Sequence, residues 1–148
     1  MLKHYIFIGL GGAFGAMLRV AFGKLLPLAL FGMPFYIMFV NIIGCFLMGL
    51  IIEFMALHWS VSDNLRYFLI SGLLGGFTTF SAFALEFGLL FEKNQYLLAT
   101  IYLSLSVSLS IIFFFLGIKL VRIFWKYNIE ESKCRILKIL GKTLKVIQ

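Results

Sequence analysis

Charged residues divide the first 118 positions of this chain into four long uncharged stretches, His4 to Leu18, Leu25 to Ile52, Tyr67 to Leu85 and Asn94 to Ile118. A helix needs about 20 predominantly apolar residues to cross a bilayer core of about 30 Å. The last three stretches are close to or beyond that length, and the first reaches it by running on past Arg19. A soluble domain is excluded, because only 13% of the residues are charged where an ordinary one has about 25%. A mean hydropathy of +1.05 over 148 residues points instead to one domain in a membrane. Pro27 and Pro34 sit where proline suits a connection or a first turn better than a helix interior. The pattern predicts helix 1 over 4–26, a turn over 27–34, helix 2 over 35–57, helix 3 over 65–91 and helix 4 over 95–125. Tyr5, Tyr36, Trp59, Tyr67, Tyr96, Trp125 and Tyr127 cluster near these ends, where amphipathic rings favour the headgroup level. The opening Met-Leu-Lys-His before an apolar run has the outline of a cleaved leader. The run is studded with glycine and continues past Arg19, so it is expected to stay as the first span.

The net charge of +7 suggests an acidic partner such as nucleic acid until it is split by position. Residues 1–118 carry five bases and four acids, whereas residues 119–148 carry eight bases and two acids. The basic character therefore belongs to a C-terminal extension, and no nucleic-acid partner is expected. Four spans place both termini on one side, with Lys3, Arg66 and the Lys119/Arg122/Lys126 group. Lys24, Lys93 and Arg19 fall toward the other side, so without the C-terminal group the body hardly specifies an orientation. Cys45 and Cys134 have no paired spacing that suggests a disulfide or a zinc site.

Polar groups inside a membrane are the functional candidates, because burial there costs free energy unless they are satisfied. Arg19 either snorkels to an interface or lines a vestibule that attracts anions. Asn41 lies two turns into helix 2, where its amide can bond an anion, a carbonyl or another helix. In helix 3, Gly75-Gly76 is followed by Thr78-Thr79, which weakens a helix through backbone entropy and β-branching together. A break there frees main-chain carbonyls at mid-membrane depth; the alternative is a continuous helix with small residues at a packing face. Phe80 and Phe83 share a helix face, either as core or with positive ring edges turned toward an anion. Helix 4 carries two opposed polar stripes, Tyr102/Ser106/Ser110 and Ser104/Ser108, and periodicity leaves open which is a hydroxyl track. The pairs Gly11/Gly15, Gly12/Ala16 and Gly72/Gly76 permit close helix approach within one chain or between chains.

Three segments in this order resemble the small fluoride channels of the Fluc/CrcB family. They are Gly11-Gly12-Ala13-Phe14-Gly15-Ala16-Met17-Leu18-Arg19, Val40-Asn41-Ile42-Ile43-Gly44-Cys45-Phe46 and Gly75-Gly76-Phe77-Thr78-Thr79-Phe80-Ser81-Ala82-Phe83. The resemblance covers about 1–125. It implies an all-α membrane protein with four transmembrane helices, helix 3 broken mid-membrane, and an antiparallel dual-topology homodimer with two pores. It implies a structural sodium ion at the dimer two-fold, held by the carbonyls of Gly75 and Thr78. It casts Asn41, Phe80, Phe83, Tyr102, Ser106 and Ser110 as the fluoride pore and Arg19 as part of the vestibule. Glu86 matches an acidic position after the threonine motif without an assigned role. The implied activity is passive fluoride conduction across a bacterial-type inner membrane, with fluoride, the bilayer and a second copy of the chain as partners. The near-even charge of the body suits insertion either way up.

The extension 126–148 departs from that pattern. Ile136, Leu137, Leu140, Leu144 and Ile147 follow helical spacing, with Lys133, Lys138, Lys142 and Lys145 largely elsewhere, as in an interfacial amphipathic helix or a solvated tail. Two other functions stand beside the channel. A four-helix proton-coupled drug antiporter requires a membrane-embedded carboxylate, and Glu53 and Glu86 both lie toward span ends. A non-transporting scaffold with a partner-binding basic tail rests on the C-terminus alone. No catalytic triad, metal set or phosphate loop suggests an enzyme.

Overall fold

The computed structural model describes residues 2–25, 29–30, 33–58 and 61–147, with 29–30, 33–34, 58 and 131–147 described as backbone alone. Pro27 and Trp59 lie outside the described residues. Helix α1 spans Leu2–Leu25 and α2 spans Tyr36–His58. Between them Ala29–Leu30 and Met33–Pro34 pair as a two-residue antiparallel ladder, so Pro34 closes the turn and does not begin the helix. This ladder is the one departure from an all-α chain among the described residues. The third span is composite. It begins as α3, Asp63–Arg66, passes through a π-helical stretch, Tyr67–Leu74, into a short α4, Gly75–Phe77, and resumes as α5, Phe80–Glu92. Four helical segments are long and apolar enough to cross a membrane: Leu2–Leu25, Tyr36–Leu57, Asp63–Glu92 and Tyr96–Glu130.

The fourth helix, α6, runs from Tyr96 to Ile147, far past the expected end at 125. No proline follows the fourth apolar run, and leucine, isoleucine, lysine and arginine all favour helix, so no stop signal is met. Its 52 residues correspond to about 78 Å, more than twice a bilayer core.

Glycines set the helix crossings. The helix α1 packs along the π-helical stretch and α4, and α2 packs along α6. A Cβ on Gly76 would sit 2.6 Å from the Gly12 carbonyl oxygen, and one on Gly72 would sit 2.9 Å from the Gly11 Cα. These small-residue pairs are therefore contacts within the chain. At the second crossing a Cβ on Gly49 would collide with the Phe114 carbonyl, and one on Gly117 with the Phe46 carbonyl. The expected consequence is asymmetric. Gly15→Val drives a side chain into the Leu73 carbonyl and should lower stability by about 1–3 kcal/mol, seen as earlier thermal unfolding in detergent. Gly12→Ala, whose Cβ meets nothing within 4 Å, should unfold with the parent protein.

A buried aromatic cluster lies where the start of α2, α5 and the start of α6 meet. Phe35, Ile37, Phe83, Leu90, Ala99 and Tyr102 form it.

Candidate functional site

The interruption falls on the two threonines. Gly75 keeps helical dihedrals, whereas Thr78 (φ −79°, ψ 153°) and Thr79 (φ −155°, ψ 126°) are extended. Extended backbone suits β-branched side chains, so the glycines loosen the helix and the threonines take the open conformation. The side chains of both threonines finish the helix ends. Thr78 Oγ1 and Thr78 N both donate to the Leu74 carbonyl, at 2.9 and 3.0 Å. Thr79 is the N-cap of α5, its hydroxyl accepting from the Ala82 amide at 3.3 Å and lying 3.0 Å from the Ser81 hydroxyl.

Asn41 holds the gap open from α2. Its Oδ1 accepts from Thr79 N at 2.9 Å and its Nδ2 donates to Thr79 O at 3.1 Å, so one amide satisfies both main-chain groups of an extended residue. Gly44, one turn further on, makes the approach possible, because a Cβ there would collide with Thr78 Cγ2. Of the three partners open to Asn41 in the sequence, the structure selects the main chain of another helix. Its second N–H is not used by Thr79.

The same bonds redirect two donors. In a continuous helix the Thr79 amide would bond to the Gly75 carbonyl and the Ala82 amide to the Thr78 carbonyl. Here the first goes to Asn41 and the second to the Thr79 hydroxyl. The oxygens of Gly75 and Thr78 are thereby released from their ordinary helical partners.

An open cleft of about 480 Å³ lies against this break. It brings together Asn41, Gly75, Thr78, Phe80, Phe83, Ser106 and Ser110 from three different spans. Tyr102 stands one turn from Ser106, 2% exposed, with its ring stacked on Phe83 at 5.3 Å between centroids. The stripe Tyr102/Ser106/Ser110 thus faces the site, while Ser104 and Ser108 are exposed on the other side of α6. Phe80 and Phe83 lie 5.4 Å apart, yet Phe83 is buried and Phe80 is 77% exposed. Arg19 does not line the cleft; it is half-buried on α1, four residues beyond the Gly15 crossing.

Three residues belong to this region that sequence reasoning did not place there. Cys45 lines the cleft, one helical turn from Asn41, and that spacing is the signal that marks it. Phe35 packs its ring 5.4 Å from Tyr102. Glu86, 7% exposed, accepts a 2.5 Å hydrogen bond from the Tyr102 hydroxyl. The other membrane carboxylate, Glu53, is held by Arg122 through two bonds, Nε to Oε1 at 2.7 Å and Nη2 to Oε2 at 3.2 Å.

Comparison with known proteins adds to this geometry. The sequence model of the family described as "CrcB-like protein, Camphor Resistance (CrcB)" matches residues 6–118. The chain is 40% identical over 122 residues to a protein of Rhodopseudomonas palustris (strain BisB5), covering 80% of this chain and 96% of the relative. It is 42% identical over 125 residues to one of Chelativorans sp. (strain BNC1), covering 82% and 98%. A relative from Rhizobium meliloti (strain 1021) is 40% identical over 122 residues, covering 82% and 98%. All three are named "Fluoride-specific ion channel FluC".

Proposed function

The chain belongs to the CrcB family, and we propose that it is a fluoride channel of a bacterial inner membrane, conducting the ion passively and lowering cytoplasmic fluoride. One observation carries this reading beyond the family match: the cleft at the helix break gathers an amide, hydroxyls and ring edges without a charged side chain among its lining residues. Fluoride is small and strongly hydrated, so a path through the membrane must replace its water with several donors while holding it weakly enough for release. The free N–H of Asn41, the hydroxyls of Ser106 and Ser110, and the edges of Phe80 and Phe83 supply such contacts in sequence. The stack of Phe83 on Tyr102, itself fixed by Glu86 and Phe35, holds the ring orientation. Asn41 has a second task, since it keeps Thr79 extended and so maintains the break.

The assembly that fits is an antiparallel homodimer with two pores. Support comes from the near-even charge of the body and from the large exposure of Phe80 at an open cleft, which a second chain would cover. A sodium ion at this level would be coordinated by oxygen, which main-chain carbonyls can supply. The Gly75 and Thr78 carbonyls fit that role for sodium, because their helical donors bond elsewhere. Two oxygens from each of two chains would make four ligands, and the ion would supply positive charge between the two breaks. Arg19 is assigned to the vestibule.

The deciding experiment is fluoride efflux from liposomes of purified protein, followed with a fluoride electrode. Robust efflux with little chloride loss is expected; chloride efflux at a comparable rate, or none of fluoride, refutes the reading. Deleting residues 128–148 should leave efflux within about twofold of the full chain, since selectivity and conduction depend on the pore lining. A scaffold acting through its basic tail would lose its function in the same variant.

A further inference from the structure

The C-terminal extension is unused by the channel, lies beyond the family-matched residues and is nonetheless helical to Ile147. Along a helix of 100° per residue, Arg135, Lys138, Lys142 and Lys145 are spaced three, four and three apart and share one face. Ile136, Leu140, Leu144 and Ile147 fall on the opposite face. Closer to the bilayer, Lys119 and Lys126 are exposed among exposed Ile123, Phe124 and Tyr127. The fourth span needs about 20 residues from Tyr96 to cross the hydrocarbon, so Lys119 and Lys126 emerge at headgroup level. Arg122 at the same level is already committed to Glu53.

We propose that residues 119–147 form an anionic-lipid-binding element, in which Lys119 and Lys126 meet headgroup phosphates at the helix exit. The amphipathic stretch 135–147 lies on the same leaflet with its apolar face in the acyl boundary. A basic polar face opposite an aliphatic one is the pattern of a helix in the interfacial plane. Charge selects the occupant. A second copy of this segment would bring four bases against four bases, whereas an anionic leaflet attracts every one of them. The tether to the fourth span also keeps the surface at high effective concentration. Between Tyr127 and Lys133 the chain carries Glu130 and Glu131 and no base, so an anionic surface repels this stretch while attracting both flanks. Continuous helix in the chain by itself, this stretch is where α6 bends once 135–147 settles on the surface.

The test places an environment-sensitive fluorophore at Leu144→Cys in the full chain, with Cys45→Ser and Cys134→Ser as background, reconstituted in liposomes. In vesicles containing phosphatidylglycerol, blue-shifted emission quenched by doxyl-labelled lipid is expected; in pure phosphatidylcholine the emission is water-like. Each base near an anionic surface favours the bound state by about fivefold. Changing Arg135, Lys138, Lys142 and Lys145 together to glutamine should therefore lower the ratio of surface-bound to free tail by about a hundredfold or more, while fluoride efflux matches that of the labelled parent. Water-like emission in anionic vesicles overturns the proposal. Blue-shifted emission that ignores lipid charge and persists in the glutamine variant also overturns it, and assigns the apolar face to a protein contact instead.

Discussion

Asn41→Leu is expected to abolish fluoride conduction. The substitution keeps the branched shape and the number of heavy atoms but removes the acceptor for Thr79 N and the donor for Thr79 O. Both main-chain groups sit in the middle of a membrane span, where an unpaired buried polar group costs about 1–3 kcal/mol. The break then has either two orphaned groups or a rearranged backbone, and in either case the cleft loses its shape together with its amide donor. A barrier raised by about 3–4 kcal/mol slows conduction by about 10²–10³-fold. Asn41→Asp separates the two roles of this side chain. A carboxylate still accepts from Thr79 N but no longer donates to Thr79 O, so one of the two bonds at the break survives. The protein should elute as a folded species in detergent, yet a negative charge in an anion path repels fluoride and efflux should again be lost. Efflux near the parental rate in Asn41→Leu would remove Asn41 from both the break and the pore.

The pairing of Asn41 with Thr79 also marks where sequence reasoning stops. The four spans are legible because charges are so few that the apolar runs between them stand out, and the observed helices begin and end within a few residues of the expected bounds for the first three. The partner of Asn41 is not legible, because the two residues are 38 apart in the chain and meet only through the relative register of α2 and the third span. That register depends on Gly44 leaving room for Thr78, a fact of packing and not of periodicity. Periodicity alone likewise yields two serine stripes on helix 4; the position of α5 against α6 decides that Ser106 faces the cleft while Ser108 does not. The weakness of the helix around Gly75-Gly76 is visible in the residues, but the bend itself falls on Thr78-Thr79, where the extended dihedrals match the side-chain type. The overrun of α6 has the opposite cause: the end of an apolar run is easily mistaken for a stop signal, and none is present there.

Modification of Cys45 should block the channel. The thiol lines the cleft beside Asn41 and Ser110 and is only half-buried, so a small reagent that enters the fluoride path reaches it. Methyl methanethiosulfonate transfers a methylthio group: the thiolate attacks the sulfenyl sulfur, a mixed disulfide forms and methanesulfinate leaves. The added group is apolar, stands among the donors that replace the hydration of fluoride, and takes up part of the cleft. Since a weak site must be vacated for each ion, an apolar obstruction that raises the barrier by about 1.4 kcal/mol or more slows efflux by about tenfold or more. Dithiothreitol reverses the block, and Cys45→Ser makes the channel insensitive while Cys134→Ser leaves it sensitive. Serine at position 45 keeps a small polar group on the wall, so that variant should conduct. Sensitivity that follows Cys134 instead would mean that position 45 lies off the conduction path, and the cleft would then lose its claim to be the pore even if Asn41 remained essential for the break.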